Sequence, residues 1–102
     1  MDPKLKRRWV RALRSGKYKQ GDGYLKIGGS FCCLGVLADI QGCAWKNSIP
    51  YKGEKNVGLE GRGILLSPAF CGIRKSTQTH LAQMNDDGKT FEQIADHIEK
   101  RM

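Results

Sequence analysis

Residues 31 to 40, with the sequence FCCLGVLADI, form the longest apolar run in the chain and decide where its core lies. A membrane-spanning helix needs about 20 apolar residues, so this run belongs in the core of a globular domain. Its leucines and alanine recur at helical spacing, which predicts a short buried helix from Cys33 to about Gln41 that is ended by Gly42. Gly35 lies inside that helix, where glycine costs stability, and it therefore indicates close packing against another backbone.

Strands and turns are predicted on the N-terminal side of this helix, over residues 17 to 32. A β-prone run from Tyr24 to Ile27 is followed by Gly28-Gly29, a pair typical of a two-residue hairpin turn. The chain then returns through residues 30 to 32. These residues are therefore expected to form a hairpin.

The N-terminal segment predicts an amphipathic helix with one cationic face. Asp2 and Pro3 are typical of an N-cap and the first helical position, and Ser15-Gly16 is typical of a helix end. Apolar side chains recur at helical spacing on one side of the helix. Cations fill the other side: Lys4, Arg7, Arg8, Arg11 and Arg14.

The rest of the chain predicts short strands followed by helices. Residues 43 to 66 indicate strands joined by loops, with residues 64 to 66 as a buried strand. Ser67-Pro68 is typical of the start of a helical turn, and residues 77 to 84 predict a helix. Thr90 opens a capping box at the head of a last amphipathic helix.

These patterns predict one α+β domain over residues 1 to 102. Its N- and C-terminal helices are expected to pack around a short antiparallel sheet. A chain of this length has enough apolar residues for one core but not for two.

The charge of the chain is large and unevenly distributed. The formal net charge is +8, from 18 basic and 10 acidic residues, and residues 1 to 20 hold eight Lys or Arg with Asp2 as their one acid. Half of the acids lie in the last 17 positions. Such a distribution suits a polyanionic partner, and a basic front can also pair with the acidic back of another copy, so a homo-oligomer is expected.

The cationic helix face is the strongest functional signal in the sequence. An exposed basic face can simply be solvated, but here no acid lies at i+4 to offset the repulsion among the cations. Guanidinium groups bind phosphate bidentately, so nucleotides and nucleic acids are the expected ligands. Tyr18 and Tyr24 lie beside this face, where they stack on a base or serve as ordinary sheet residues.

The sequence gives little support for a metal site or for a known catalytic motif. The four cysteines, with His80 and His97, lack the paired spacing of structural zinc sites, and buried reduced thiols are the expected alternative. Neither Cys32 nor Cys33 lies in a familiar nucleophile motif, and no phosphate-binding glycine motif occurs. No metal, no cofactor and no enzymatic activity are therefore predicted. No apolar segment follows the basic N-terminus, so secretion and membrane insertion are not expected.

Three stretches together resemble a family of small tailed-bacteriophage proteins. These are residues 12 to 21 (ALRSGKYKQG), 31 to 39 (FCCLGVLAD) and 81 to 96 (LAQMNDDGKTFEQIAD), which hold about a third of the residues, whereas residues 43 to 76 depart from the family pattern. The resemblance implies a viral protein in the host bacterial cytoplasm. Small accessory phage proteins of similar size and charge act against host defences, and one class sequesters nucleotide messengers.

The sequence therefore predicts an accessory, anti-defence protein that sequesters a phosphorylated nucleotide, a class that includes cyclic immune-signalling nucleotides. The alternatives are a nucleic-acid-binding protein and an inhibitor of a host protein with an acidic surface. The cations are expected to hold phosphates, the tyrosines to stack, and the amides and the carboxylate to bond the base or ribose. The residues expected to bind the ligand are Arg7, Arg11, Arg14, Lys17, Tyr18, Lys19, Gln20, Tyr24, Asn85 and Asp86.

Overall fold

Four of the five helices begin where the local signals predict them, and the fourth helix in the chain begins at Lys75, two residues before its predicted start at residue 77. The structure, a computed structural model, describes all 102 residues and contains five α-helices: α1 (Pro3–Arg14), α2 (Cys33–Ile40), α3 (Pro68–Cys71), α4 (Lys75–Asp86) and α5 (Phe91–Arg101). The Asp2 carboxylate caps α1 by accepting from the Leu5 amide at 3.2 Å. The Thr90 hydroxyl and the Gln93 side chain form the expected capping box of α5.

The strands form two small three-stranded sheets instead of one. They are β1 (Lys19–Gln20), β2 (Lys26–Ile27), β3 (Ser30–Phe31), β4 (Ala44–Lys46), β5 (Ile49–Lys52) and β6 (Lys55–Asn56). The predicted hairpin is confirmed as β2–β3, and β4, β5 and β6 form an antiparallel meander. β1 pairs in parallel with β3, so the first sheet is mixed. The predicted α+β class is confirmed. The prediction of an antiparallel sheet is correct only for the sheet formed by β4, β5 and β6.

Residues 64 to 66 do not form the predicted buried strand. Ile64 is 45% exposed, and only Leu66 is buried, in an isolated bridge to Gly58. The reason is a side chain: Gln78 of α4 accepts from the Leu66 amide and donates to the Leu66 carbonyl, both at 2.8 Å. An amide side chain thus takes the hydrogen bonds that a neighbouring strand would make.

α2 is the centre of the core, and α1 and α5 pack against each other beside it. Six of the eight residues of α2 are buried. Trp9 of α1 is fully buried, and its indole N–H donates to the Cys33 carbonyl at 2.8 Å. On α5, the apolar stripe predicted from the sequence is buried: Phe91, Ile94, Ala95 and Ile98. This packing leaves the cationic side of α1 facing solvent.

None of the helices combines the length and the apolar character that a membrane span requires. All four cysteines are buried, and no two of them form a disulfide.

Candidate anion-binding site

Arg7 and Arg11 are the exposed centre of the α1 face. Neither forms an ion pair, since every ion pair in the structure involves Arg14. Lys4 of the same helix and Lys17 just beyond it are also exposed and unpaired. These cations are held next to one another by a helix whose opposite side is fixed in the core, so their repulsion persists until an anion binds.

A groove of about 640 Å³ runs between α1 and α5 along this face. We call it the α1–α5 groove. Lys6, Arg7 and Arg11 line it, together with Arg14 and Glu99. It is wide and open to solvent, and Val10 is its one hydrophobic residue. Its lining therefore suits a charged ligand rather than an apolar one.

A second groove, of about 320 Å³, lies on the other side of α1 beside the end of α2. We call it the Tyr18 groove. Arg8, Arg11, Lys17 and Tyr18 line it. Arg11 borders both grooves, so the two form one continuous cationic surface across the helix.

Arg14, which the sequence places among the phosphate ligands, is already paired. Its guanidinium lies within 3.4 Å of carboxylate oxygens of Glu92, Asp96 and Glu99, three residues on successive turns of α5. Hydrogen bonds to Glu99 and Asp96 raise the pKa of Arg14. The side chain joins α1 to α5, so we leave it out of the candidate site.

Replacing Arg14 by alanine is therefore expected to lower the Tm of the free protein. The change removes the cation that the three carboxylates of α5 share, and these then repel one another. Because all four groups are partly exposed, added salt screens that repulsion and should shrink the loss. Thermal unfolding at low and high salt measures both effects.

Arg11→Ala is the matched control for that measurement, because it removes a cation from the same helix but no ion pair. Its Tm should stay the same or rise slightly, since the cations of α1 repel one another. Equal Tm values for the two variants at low salt would contradict the structural role of Arg14.

Arg8 also has an internal partner. Its Nη2 donates to the Ile40 carbonyl at 2.6 Å. Ile40 is the last residue of α2, and a cation at a helix C-terminus is stabilising there. Arg8 therefore fixes α1 against α2 and borders the Tyr18 groove without being a free phosphate ligand.

The two predicted stacking tyrosines lie in different surroundings. The Tyr18 hydroxyl donates to Asp39 Oδ2 at 2.7 Å, and burial together with this bond raises the pKa of Tyr18 to about 12. Tyr24 is 48% exposed but lines neither groove. Lys19, on β1, is exposed and also lies outside both grooves.

Two of the three predicted polar ligands lie in a separate cleft. Gln20 and Asn85 line this polar cleft, and their side-chain atoms bond backbone groups just after β1, at the start of α2, in the α4–α5 turn and at the start of α5. Asp86 accepts from the Gly23 amide at 3.2 Å. Because these groups hold the elements together, we do not include them in the candidate site.

A half-buried aromatic cluster continues the surface beyond Tyr18. The rings of Tyr18 and Phe31 meet edge to face at 5.0 Å, and those of Phe31 and Trp45 at 6.0 Å. The Lys26 ammonium lies 5.2 Å from the Phe31 ring centroid and 5.7 Å from that of Trp45. Sequence reasoning missed this cluster, because Trp45 comes to Phe31 only through the packing of two separate sheets.

No cysteine and no histidine lines either groove. Burial raises the pKa of Cys32 to about 11 and that of Cys33 well above its usual value, so both are protonated at neutral pH. The rings of His80 and His97 lie 5.3 Å apart, between α4 and α5. No group of three or more His, Cys, Asp and Glu side chains comes close enough to hold a metal ion.

A family model matches the N-terminal part of the chain. Residues 1 to 68, two thirds of the chain, match the family model described as "Domain of unknown function (DUF8296)". The matched range contains α1, both sheets and every residue of the two grooves except Glu99. No curated protein and no solved structure matches the chain significantly.

Proposed function

We propose that the chain, which belongs to the DUF8296 family, binds a phosphorylated nucleotide on the cationic side of α1 and holds it without changing it chemically. The observation that carries this proposal is the unpaired state of Arg7 and Arg11, which both line the α1–α5 groove, while Arg11 also borders the Tyr18 groove. A guanidinium presents a planar fork of N–H donors that matches phosphate, and Lys17 adds a third cation. Bound phosphate would relieve the repulsion among these groups.

The size of the α1–α5 groove suits a nucleotide. At about 640 Å³ it falls within the roughly 300–1,000 Å³ typical of small-molecule sites. One chain leaves the groove open, so a nucleotide in it would stay largely exposed. A second copy closing the open side would complete the site, which is why we propose that the protein acts as a homo-oligomer.

Binding without reaction fits the chemistry of the lining. Glu99 is the one carboxylate in the α1–α5 groove, and it is bonded to Arg14. No second acid or base faces it across the groove, and hydrolysis needs such a pair or a metal ion. Sequestration is therefore the role we propose, and the resemblance to phage accessory proteins suggests host defence as its setting.

A nucleic acid strand is the second candidate ligand, and the shape of the surface favours it. The two grooves meet at Arg11 and are both open, so they could follow a backbone with several phosphates. Such binding would weaken steeply as salt is added, because each neutralised phosphate releases counterions. An acidic surface of a host protein would meet the same cations and remains the third candidate.

Replacing both Arg7 and Arg11 by alanine is expected to raise the Kd for the ligand by about a hundredfold or more, since each of the two lost charged hydrogen bonds contributes roughly 1.5–3 kcal/mol. The double variant should remain folded because both side chains are exposed and unpaired. Isothermal titration with linear and cyclic nucleotides and with short DNA, at two salt concentrations, measures the change.

Lys55→Ala with Arg62→Ala is the matched control, since it lowers the net charge equally at exposed positions outside both grooves. Affinity should be nearly unchanged in this control at high salt. Equal losses of affinity in the two double variants would show nonspecific attraction and contradict the proposed site. Recovery of a cleaved nucleotide would contradict binding without reaction.

A further inference from the structure

We infer that Trp45, supported by Phe31 and Lys26, is a stacking site for a nucleobase, so that the ligand is held by a base as well as by its phosphates. This inference rests on the proposed function, because it assumes that phosphates occupy the neighbouring Tyr18 groove. It adds a part of the surface that neither the α1 cations nor the grooves include.

The two tryptophans of the chain lie in opposite environments. Trp9 is fully buried, and its indole N–H is bonded to a backbone carbonyl of the core. Trp45 is only half-buried, on the three-residue strand β4. Aromatic side chains on small sheets, beside cations, are the platforms on which single-stranded nucleic acids and nucleotides stack. Trp45 is the one tryptophan that such a ligand can reach.

The indole of Trp45 is held in position before any ligand binds. Its Nε1 donates to Asp39 Oδ1 at 3.1 Å, while the other oxygen of the same carboxylate accepts from the Tyr18 hydroxyl. One carboxylate of α2 therefore orients the rings at both ends of the aromatic cluster. A ring fixed in this way loses little conformational entropy on binding.

Lys26 supplies a cation at the aromatic surface itself. Its ammonium forms no ion pair and lies over the Phe31 and Trp45 rings. A phosphate attached to a stacked nucleotide could therefore meet Lys26 on one side. Lys17 and Arg11 lie in the direction of Tyr18, which lines the groove that they share.

The sheet provides its own internal control. Trp45 is opposite Pro50, whereas Lys46 and Tyr51 lie on the other face of the same strand pair, because side chains alternate along a strand. Lys46 lies 5.2 Å from the Tyr51 ring centroid, in a cation–π pair similar to that of Lys26. That pair lies on the opposite face from Trp45 and has no ring contact with Phe31 or Tyr18, so it has the same chemistry but is not connected to the Tyr18 groove.

Tryptophan fluorescence of the intact protein tests the inference directly. Three probes are compared: oligothymidylate represents a nucleic acid strand, thymidine monophosphate represents a free nucleotide, and polyphosphate carries phosphates without a base. We expect the base-bearing probes to quench the emission of Trp45 and polyphosphate to bind without quenching. Quenching by the mononucleotide at a Kd near that of the strand identifies a free nucleotide as the ligand, and quenching by the strand alone identifies single-stranded nucleic acid.

Substitutions test the energetic contribution of the ring. Trp45→Ala should weaken oligothymidylate binding by about tenfold to a hundredfold and leave polyphosphate binding unchanged. Trp45→Phe should retain most of the affinity, and Tyr51→Ala should retain all of it. Should Trp45→Ala fail to fold, the quenching of the wild-type protein and its expected loss in Trp45→Phe, whose one remaining tryptophan is the buried Trp9, still decide the question.

Two results would overturn the inference and can be told apart. Strand binding with unchanged tryptophan emission, and with equal affinity in Trp45→Ala, would reject the stacking site while the cationic site stands. Absence of binding by all three probes, polyphosphate included, would reject the proposed function and this inference together.

Discussion

Replacing Gly35 by alanine is expected to destabilise the domain by about 3 kcal/mol or more, although the same change stabilises most helices. In an exposed helix it gains up to about 1 kcal/mol of helix propensity. In α2, a Cβ at this position would lie 1.7 Å from the Leu25 carbonyl oxygen and 2.7 Å from its carbonyl carbon. The contact is with backbone, so no side-chain rotation can relieve it.

The Leu25 backbone cannot move away without losing other interactions. Its carbonyl accepts from the Cys32 amide at 3.1 Å, and its amide donates to the Gly63 carbonyl at 2.7 Å. Its side chain is fully buried. A shift large enough to admit a methyl group would therefore disturb the β2–β3 hairpin and the start of α2 together, which is why the expected loss is a large part of the stability of a domain of this size.

Urea unfolding followed by circular dichroism measures this loss. Gly29→Ala is the control, because a Cβ there meets no atom within 4 Å and its backbone does not adopt the left-handed conformation. It should change the free energy of unfolding by no more than about 0.5 kcal/mol. A Gly35→Ala variant as stable as the wild type would contradict the close approach of α2 to Leu25.

Gly35 also illustrates how far the sequence predicts this fold. Its position in an apolar helix indicates a close backbone contact, and the structure confirms one, but nothing in the sequence identifies Leu25 as the partner. Signals that act within a few residues are reliable for the same reason: the caps at Asp2 and Thr90 and the Gly28-Gly29 turn depend only on near neighbours. Pairings between separate segments, such as β1 with β3, have no comparable local signal in the sequence.

For the candidate site too, the sequence predicts the local features but not the contacts between distant segments. Helical periodicity predicts that α1 presents a row of cations to solvent, and it does. Which of these are free depends on distant segments: Arg14 meets carboxylates more than 75 positions away in the chain, and Arg8 meets the end of α2. Trp45 is missed for the same reason, since its neighbours come from three other elements.

Replacing Asn85 by alanine is expected to destabilise the domain by about 3 kcal/mol. Asn85 is buried near the end of α4, and its Nδ2 donates to the Gly21 carbonyl at 2.7 Å. Its Oδ1 accepts from the Cys33 amide and from Gln20 Nε2, each at 3.2 Å. The Cys33 amide is one of those at the start of α2 that have no partner within the helix, so alanine would leave it buried and unsatisfied.

Asp86→Ala is the matched control, because Asp86 is exposed and its one hydrogen bond is to the Gly23 amide. The expected loss there is below about 1 kcal/mol. Chemical unfolding gives both values, and titration of the folded variants gives their affinity for the ligand.

Since the Asn85 amide has all of its neighbours inside the protein, the folded Asn85→Ala variant should keep its affinity. A stable variant that has lost affinity would instead restore Asn85 as a ligand of the nucleotide, as its residue type alone suggests, and would move the binding site to the cleft beside Gln20.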